Sequence, residues 1–600
     1  MAKILGEPEL IVVARSDVAL RAAPSGLTSL AGADTASLNE VCAKYGGTMR
    51  PLFGTSEERL LREAANHSAV AAVPNLSIYY RVEAPAERLH DIARELRDQP
   101  VIEAAYVKPP AGPPRLIEMP PRAEEAPSAT PDFLNQQGYL EAAPGGIGAR
   151  HAWTFAGGRG FGVRIIDIEG AWRFSHEDLT QNQSGVVGGT PSPELDWRNH
   201  GTAVIGVLGG DGNGKGVTGI CPDAVVSAIS IFGPESSSAA AIRAAANRLQ
   251  PGDIILIELH RPGPRHNFED RLDQAGYIAV EWWQDDFDAI LFATQARGVI
   301  VVEAAGNGAE DLDDPIYSTP AAGFPASWAN PFNRSRRDSG SILVGAGAPP
   351  PGTHGRDHGP DRSRLPFSNF GMAIDAQGWG EEVTTCGYGD LQNGSNEDLW
   401  YTNTFSGTSS ASPMVVGALA CVQGFLRARG LPLLTPALAR EHLRTTGSMQ
   451  LSAPGRSSQQ NIGGRPNLRT LILVVTPKTG KESKEKEGKD SKEKEHKDQE
   501  KIRPHELVKA PNDFIARDPI NTGADKNVAD RLAGLEQAVA RLAHFIGPDL
   551  RPDLVANTLA YDEQQSGQSD AQTLSDRLRQ QAQKAKAVKD AKDIEKLSDS

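Results

Sequence analysis

Ser406-Gly407-Thr408-Ser409-Ser410-Ala411-Ser412-Pro413-Met414-Val415-Val416-Gly417-Ala418 reads as a tight turn running into a helix. Gly407 and Thr408 precede a serine at the helix start, and Pro413 is expected within the first turn, where its missing N–H does no harm. A serine in this position holds its Oγ exposed in the positive field of the helix N-terminus. That field and the local backbone N–H groups favour a developing oxyanion. A Ser-rich helix cap accounts for one serine but not for the whole string.

Around this stretch, from about 135 to 475, apolar runs alternate with helical patterns: 163–166, 225–231, 254–259, 299–304 and 342–344. Short continuous apolar runs suit strands buried on both faces of a parallel sheet, joined by helical crossovers. Three more strings sit in this region. Gly162-Val163-Arg164-Ile165-Ile166-Asp167 is a strand closing on a carboxylate, at the strand end where open α/β sheets gather their chemistry. Asn199-His200-Gly201-Thr202-Ala203-Val204 places an imidazole near the start of a small-residue helix. Val301-Val302-Glu303-Ala304-Ala305-Gly306-Asn307-Gly308 ends a buried strand in a sharp turn, from which the Asn307 amide can reach an oxyanion. Singly, each also reads as a turn, a cap or a solvated histidine.

Together, in the order Asp, His, Asn, Ser, the four strings resemble the subtilisin-like (subtilase) family, and Phe367-Ser368-Asn369-Phe370-Gly371 supports the same register. The resemblance implies a doubly wound α/β fold with a mainly parallel sheet, and a serine endopeptidase that hydrolyses internal peptide bonds. By it, Ser409 attacks the scissile carbonyl, His200 shuttles the proton, Asp167 orients the imidazole, and Asn307 with the Ser409 N–H stabilises the oxyanion. No cofactor is required for that chemistry. A transpeptidase or cyclase on the same scaffold, and a catalytically silent binding protein, remain alternatives.

The pattern departs from the family at the substrate cleft. Where the family carries glycines, this chain reads Glu258-Leu259-His260-Arg261-Pro262. His260 and Arg261 are expected to narrow the P1 pocket, and Glu258 is a candidate to attract a basic P1 residue; alternatively the loop takes another path. Ser175-His176-Glu177-Asp178-Leu179 resembles the family's calcium-linked segment, so Asp178, with Asp211 and Asn213 of the following Gly-rich loop, is a candidate ligand for structural Ca2+. Lys215 inside the loop counts against an ion, and a solvated turn is the alternative.

Residues 1–110 read as a small α/β unit, with strands near 10–14, 76–82 and 101–107 and helices near 38–45 and 85–97. Its position resembles that of the family's ferredoxin-like inhibitory propeptides, which makes the chain's own N-terminal domain an expected inhibitor. The end expected in the cleft is Ala104-Ala105-Tyr106-Val107-Lys108-Pro109. The Pro-rich stretch 111–134 reads as a linker. Residues 476–523 form a charged linker, with nine Lys and eight Asp or Glu in 478–501. A helical C-terminal tail, 524–600, follows. Its apolar seam through Leu532, Leu535, Val539, Leu542 and Ile546 makes the 529–546 helix a candidate for self-association.

A formal net charge of -14 argues against nucleic acid as the main partner. No membrane span and no secretory h-region are expected, which makes a cytoplasmic location the default, with non-classical export open. The four cysteines show no CxxC spacing and read as buried or free thiols, one disulfide remaining open.

Overall fold

The computed structural model describes residues 6–23, 26–66, 73–114, 125–234 and 236–477. The charged stretch 478–501, the 529–546 seam and the helical tail lie outside these residues.

The N-terminal unit is built on four strands: β1 (Glu9–Ala14), β2 (Thr48–Pro51), β3 (Tyr79–Glu83) and β4 (Ile102–Lys108). Its helices are α1 (Ala36–Lys44), α2 (Glu57–Asn66) and α3 (Leu89–Arg97). The sheet is antiparallel in the order β2-β3-β1-β4. Successive strand residues face opposite sides, and here both sides are apolar. Leu10, Val12, Tyr80 and Val82 pack with Leu38, Leu89, Ile92 and Leu96 of α1 and α3. Ile11, Val13, Tyr79 and Tyr106 join the apolar cluster of the larger unit. β2 and α2 were not expected from the sequence: β2 is a four-residue edge strand ending in proline, and α2 buries only Glu57 and Leu60.

The larger unit carries β5 (Arg164–Glu169), β6 (Gln183–Gly188), β7 (Val225–Ser230), β8 (Ile254–Ile257), β9 (His260–Pro262), β10 (Tyr277–Ala279), β11 (Ile300–Ala304), β12 (Ile342–Gly347) and β13 (Ile374–Trp379). Seven of these form one sheet in the order β13-β12-β11-β8-β5-β7-β6, and every pairing in it is parallel. The helices that matter for the site are α4 (Leu195–Gly209), α5 (Ser238–Arg248), α6 (Gln284–Leu291), α7 (Thr408–Ala428) and α8 (Leu468–Val475). This is the subtilisin-like, mainly parallel α/β fold. Helix α7 is apolar and long enough to cross a bilayer, but it is wholly buried in the core, beside α4 and the sheet. Small residues permit that depth: a methyl on Gly417 would collide with Ile220, and one on Gly424 with the backbone at Gly157. All four cysteines are buried and unpaired.

The two units meet through the second face of the small sheet, which covers α5 and α6. Lys108, fully buried, reaches Asp285 and lies 3.3 Å from Asp286 and 3.5 Å from Glu9. Burial works against its charge, but the surrounding carboxylates outweigh it and hold its pKa above the usual value. The Tyr106 hydroxyl donates to Asp285 at 2.9 Å, and Arg243 of α5 pairs with Glu63 of α2 at 2.6 Å. The stretch 111–134 is not a free spacer where it is described. Gly112 pairs with His260 of β9, Asp132 bridges to Gly216, and Phe133 is buried in the core. Residues 104–108, expected in the cleft, are instead the edge strand β4; the chain reaches the cleft three residues later.

Replacing Lys108 by Met removes the only ammonium from this buried carboxylate pair. The full-length chain is expected to lose about 3–5 kcal/mol of stability in urea unfolding. Adding Asp285→Asn should recover part of the loss.

Candidate active site

The site forms where β5 and β8 end side by side. Their parallel register sets Leu256 beside Asp167 and Ile257 beside Ile168, and the Glu258 N–H donates to the Ile168 carbonyl at 3.2 Å. Asp167 and Glu169 are two residues apart on a strand, so both carboxyls project from the same side. Glu258, just past β8, completes a group of three carboxyls, each with no exposed surface.

His200 lies on α4, and Gly201 lets that helix close on β5: a side chain there would strike the Ala171 carbonyl and the Trp172 ring. The His200 Nδ1 sits 2.7 Å from Glu169 Oε2, and both residues are fully buried. Glu169, which the sequence reading did not single out, is the carboxyl that meets this imidazole nitrogen. One Asp167 oxygen accepts instead from Trp172 Nε1 at 2.6 Å, and the other has no hydrogen-bond partner among the described residues. The extra length of Glu, one strand step further on, reaches the helix that the Asp does not.

Burial pushes all three carboxyls well above the usual range. Repulsion from Glu169 adds to the rise at Asp167, from Glu258 at Glu169, and from Asp167 at Glu258. Ser412 donates to Glu258, and both Ser412 and Ser409 temper the Glu258 rise.

Ser409 is the second residue of α7, whose N-cap is Gly407 with φ of 101°. Because the helix starts at Thr408, Pro413 lies beyond the first turn, contrary to the sequence reading. A proline there donates no helical hydrogen bond to the Ser409 carbonyl. Asn307 Oδ1 accepts from the Thr408 N–H at 2.9 Å and the Thr408 hydroxyl at 3.0 Å, which aims its Nδ2 away. Among the described residues that buried Nδ2 has no hydrogen-bond partner, which leaves it able to donate.

The expected substrate residues divide. Leu259 is a core residue. Glu258 is buried among Asp167, Glu169 and the two serines, so it is not the floor of a pocket for a basic side chain. His260 lines the cleft: its Nδ1 accepts from the Asn307 N–H at 3.3 Å and its ring stands 4.6 Å from Tyr277. Burial, then the neighbouring His200, pushes its pKa well down, so it is neutral. Arg261 turns away from the cleft, to the Pro109 carbonyl and to Ser238 Oγ at 2.7 Å.

The expected calcium donors do not fit an ion as arranged. Both Asp178 oxygens are taken, by Asn213 Nδ2 at 2.8 Å and the Val217 N–H at 2.6 Å. Both Asp211 oxygens accept from Thr180 and Gln181. Calcium takes six to eight oxygen ligands, and Lys215 brings a cation beside this loop by pairing with Glu177.

Glu169 and Trp172 are the site residues that sequence reasoning missed. The signal for Glu169 was the alternation Asp167-Ile168-Glu169 itself; Trp172 had none.

A serine, an imidazole backed by a buried carboxylate and an amide aimed at an oxyanion site, on a parallel α/β sheet, define a serine peptidase of the subtilisin class. The chain belongs to the Subtilase family, whose model matches residues 163–467. It is a serine-type endopeptidase, a hydrolase. It is 26% identical over 296 residues to Subtilisin BL of Lederbergia lenta, covering 48% of this chain and 84% of that protein. It is 26% identical over 416 residues to the Calcium-dependent protease of Nostoc sp., covering 65% of this chain but only 54% of that one. Fervidolysin from Fervidobacterium pennivorans matches at 16% identity and a TM-score of 0.44, over 78% of this chain and 61% of its own.

Burial raises the carboxyls of Asp167, Glu169 and Glu258 above the value of about 4 that they have in the unfolded chain, so the native state releases their protons at higher pH. Stability therefore falls as pH rises above that range. In Glu258→Gln, the fall in Tm between pH 5 and 8 should be shallower than in wild type; an unchanged slope contradicts the assignment.

Proposed function

We propose that this endopeptidase works through Ser409, His200 and Glu169, with Asp167 and Glu258 behind them. Ser409 Oγ adds to the scissile carbonyl as His200 takes its proton; His200 then protonates the leaving amine, and water hydrolyses the acyl-enzyme. Glu169 fixes the imidazole tautomer and stabilises the imidazolium. Asp167, held by Trp172, positions Glu169. Asn307 Nδ2 and the Ser409 N–H receive the oxyanion. The buried 2.7 Å contact between His200 and Glu169 carries this reading.

The strand order β2-β3-β1-β4, with α1 and α3 on one face, supports a ferredoxin-like N-terminal domain, and its apolar second face on α5 and α6 supports a self-inhibited zymogen. Hydrolysis is favoured over transpeptidation or silent binding, because the relatives are named as proteases and the buried His200–Glu169 contact supports an active imidazole. Calcium dependence belongs to the names of two relatives; here the Asp178 loop is closed by its own hydrogen bonds. Four unpaired thiols support a reducing compartment such as the cytoplasm. Self-association through 529–546 remains part of the proposal.

A fluorophosphonate probe should label wild type after limited clipping of the N-terminal domain, and should not label Ser409→Ala. Absence of wild-type labelling and casein cleavage overturns the reading. Glu169→Gln should cost on the order of 10³–10⁴ in kcat, and Asp167→Asn markedly less; the reverse ranking would return the orienting role to Asp167. Addition of a chelator should leave Tm unchanged, and a drop of several degrees would restore the ion at Asp178.

A further inference from the structure

We infer that Gln274 is a substrate-binding residue that reads the backbone of the residue second before the cut, so that this peptidase favours an N–H there and disfavours proline. The inference rests on the assignment of Ser409 as nucleophile and extends it to specificity.

Residues 111–114, Ala-Gly-Pro-Pro, are buried and run along the cleft as a bound peptide would. Gly112 forms an antiparallel rung with β9: its N–H donates to the His260 carbonyl at 3.0 Å and its carbonyl accepts from the His260 N–H at 3.0 Å. Two residues on, the Pro114 carbonyl oxygen meets Gly407, the N-cap of α7. A methyl on Gly407 would collide with that oxygen and stand 3.1 Å from Asn307 Nδ2. Position 113 is therefore the one next to the residue whose carbonyl lies at the nucleophile turn. In an extended chain, successive residues turn their N–H and C=O to opposite edges. Gly112 faces β9, so residue 113 offers its polar edge to the other side. Gln274 stands there: its Nε2 donates to the Pro113 carbonyl at 3.1 Å, while the His260 ring leans on the same backbone.

The other end of that amide is left over. Gln274 Oε1 is buried and has no hydrogen-bond partner among the described residues. An ordinary residue at this place presents one N–H and one C=O on the same edge, and a primary amide has a donor and an acceptor to match them. Proline presents the carbonyl alone, so the strap makes half of the pairing. A buried acceptor without a donor costs free energy, and a site built to bond a substrate N–H rejects the analogue that lacks it. A substrate with an N–H at this position completes what Pro113 leaves open. The strap is thereby a weaker occupant of its own cleft than the peptides the enzyme cuts.

The backbone holds Gln274 for this task. Its φ is 54°, in the left-handed region that side chains other than glycine rarely adopt. The turn around it is closed on both sides: its N–H donates to the Arg271 carbonyl at 3.0 Å, and its carbonyl accepts from the Tyr277 N–H at 3.1 Å. The Tyr277 hydroxyl accepts from the Arg271 N–H at 3.1 Å and donates to Asp270 at 2.7 Å. The Gly276 N–H donates to the Gly308 carbonyl at 3.0 Å, which ties the turn to the residue after Asn307. Backbone strain of this kind persists only where the surroundings over-determine it, and ligand clamps are such places. The amide that reads the peptide is thus fixed to the turn that carries the oxyanion donor.

The test uses the full-length chain, clipped in its N-terminal domain as for fluorophosphonate labelling, and its Gln274→Met variant, which keeps the length of the side chain without its amide. Each is given the anilides Ala-Gly-Ala-Phe, Ala-Gly-Pro-Phe and the form of the first that is N-methylated at its third residue. Wild type should favour the N–H form over both others by at least ~5-fold in kcat/KM, and Gln274→Met should lose that preference. A second arm needs no added peptide. Pro113→Ala supplies the missing N–H to the strap, so the unclipped chain should react with the fluorophosphonate more slowly than wild type, and the slowing should vanish when Gln274→Met is added. Equal use of the three anilides by wild type, or a preference and a slowing that survive Gln274→Met, overturns the inference while labelling of Ser409 keeps the nucleophile. Absence of labelling in the clipped wild type overturns both.

Discussion

The arrangement depends on one constraint: three carboxyls must be buried together, without a full set of countercharges, at the ends of two adjacent parallel strands. Asp167, Glu169 and Glu258 have no exposed surface, and the cost of desolvating charge there pushes all three toward their neutral forms. Trp172 on Asp167, Ser412 on Glu258 and His200 on Glu169 complete the set. The imidazole is fixed by this cluster rather than by a single aspartate.

The same strand ends also explain where the N-terminal unit sits. β9 follows β8 directly through Glu258 and Leu259, so the edge that receives an extended peptide is covalently tied to the carboxyl cluster. The small sheet covers α5 and α6 through apolar residues and the buried Lys108, and its last strand delivers residues 111–114 onto β9. Packing energy in one place positions a backbone in another. Arg261, whose glycine counterparts in the family leave room for substrate, here holds the Pro109 carbonyl and so helps seat the incoming strap.

Much of the fold was legible from local signals. The apolar runs of β5, β7, β8, β11 and β12 announce a parallel sheet because strands buried on both faces need no polar side. β6 and β13 were missed: β6 is only half-buried and glycine-containing, and β13 interrupts its apolar run with Asp375 and Gln377. In the site, His200, Ser409 and Asn307 were legible because each stands in a string of small residues that a tight turn or a deeply buried helix demands.

The sequence by itself determined the sheet type and the candidate serine, histidine and asparagine strings, because these follow from hydrophobic period, helix-start chemistry and small-residue spacing. The tertiary structure alone decided which carboxylate meets His200, since that depends on how far α4 stands from the end of β5, not on the order of residues along it. It alone decided that Glu258 faces the acid cluster, that the Asp178 loop is closed by hydrogen bonds, and that Pro114 rather than residues 104–109 lies at the nucleophile turn. Each is a matter of reach between segments distant in the chain, and local sequence holds no record of such distances.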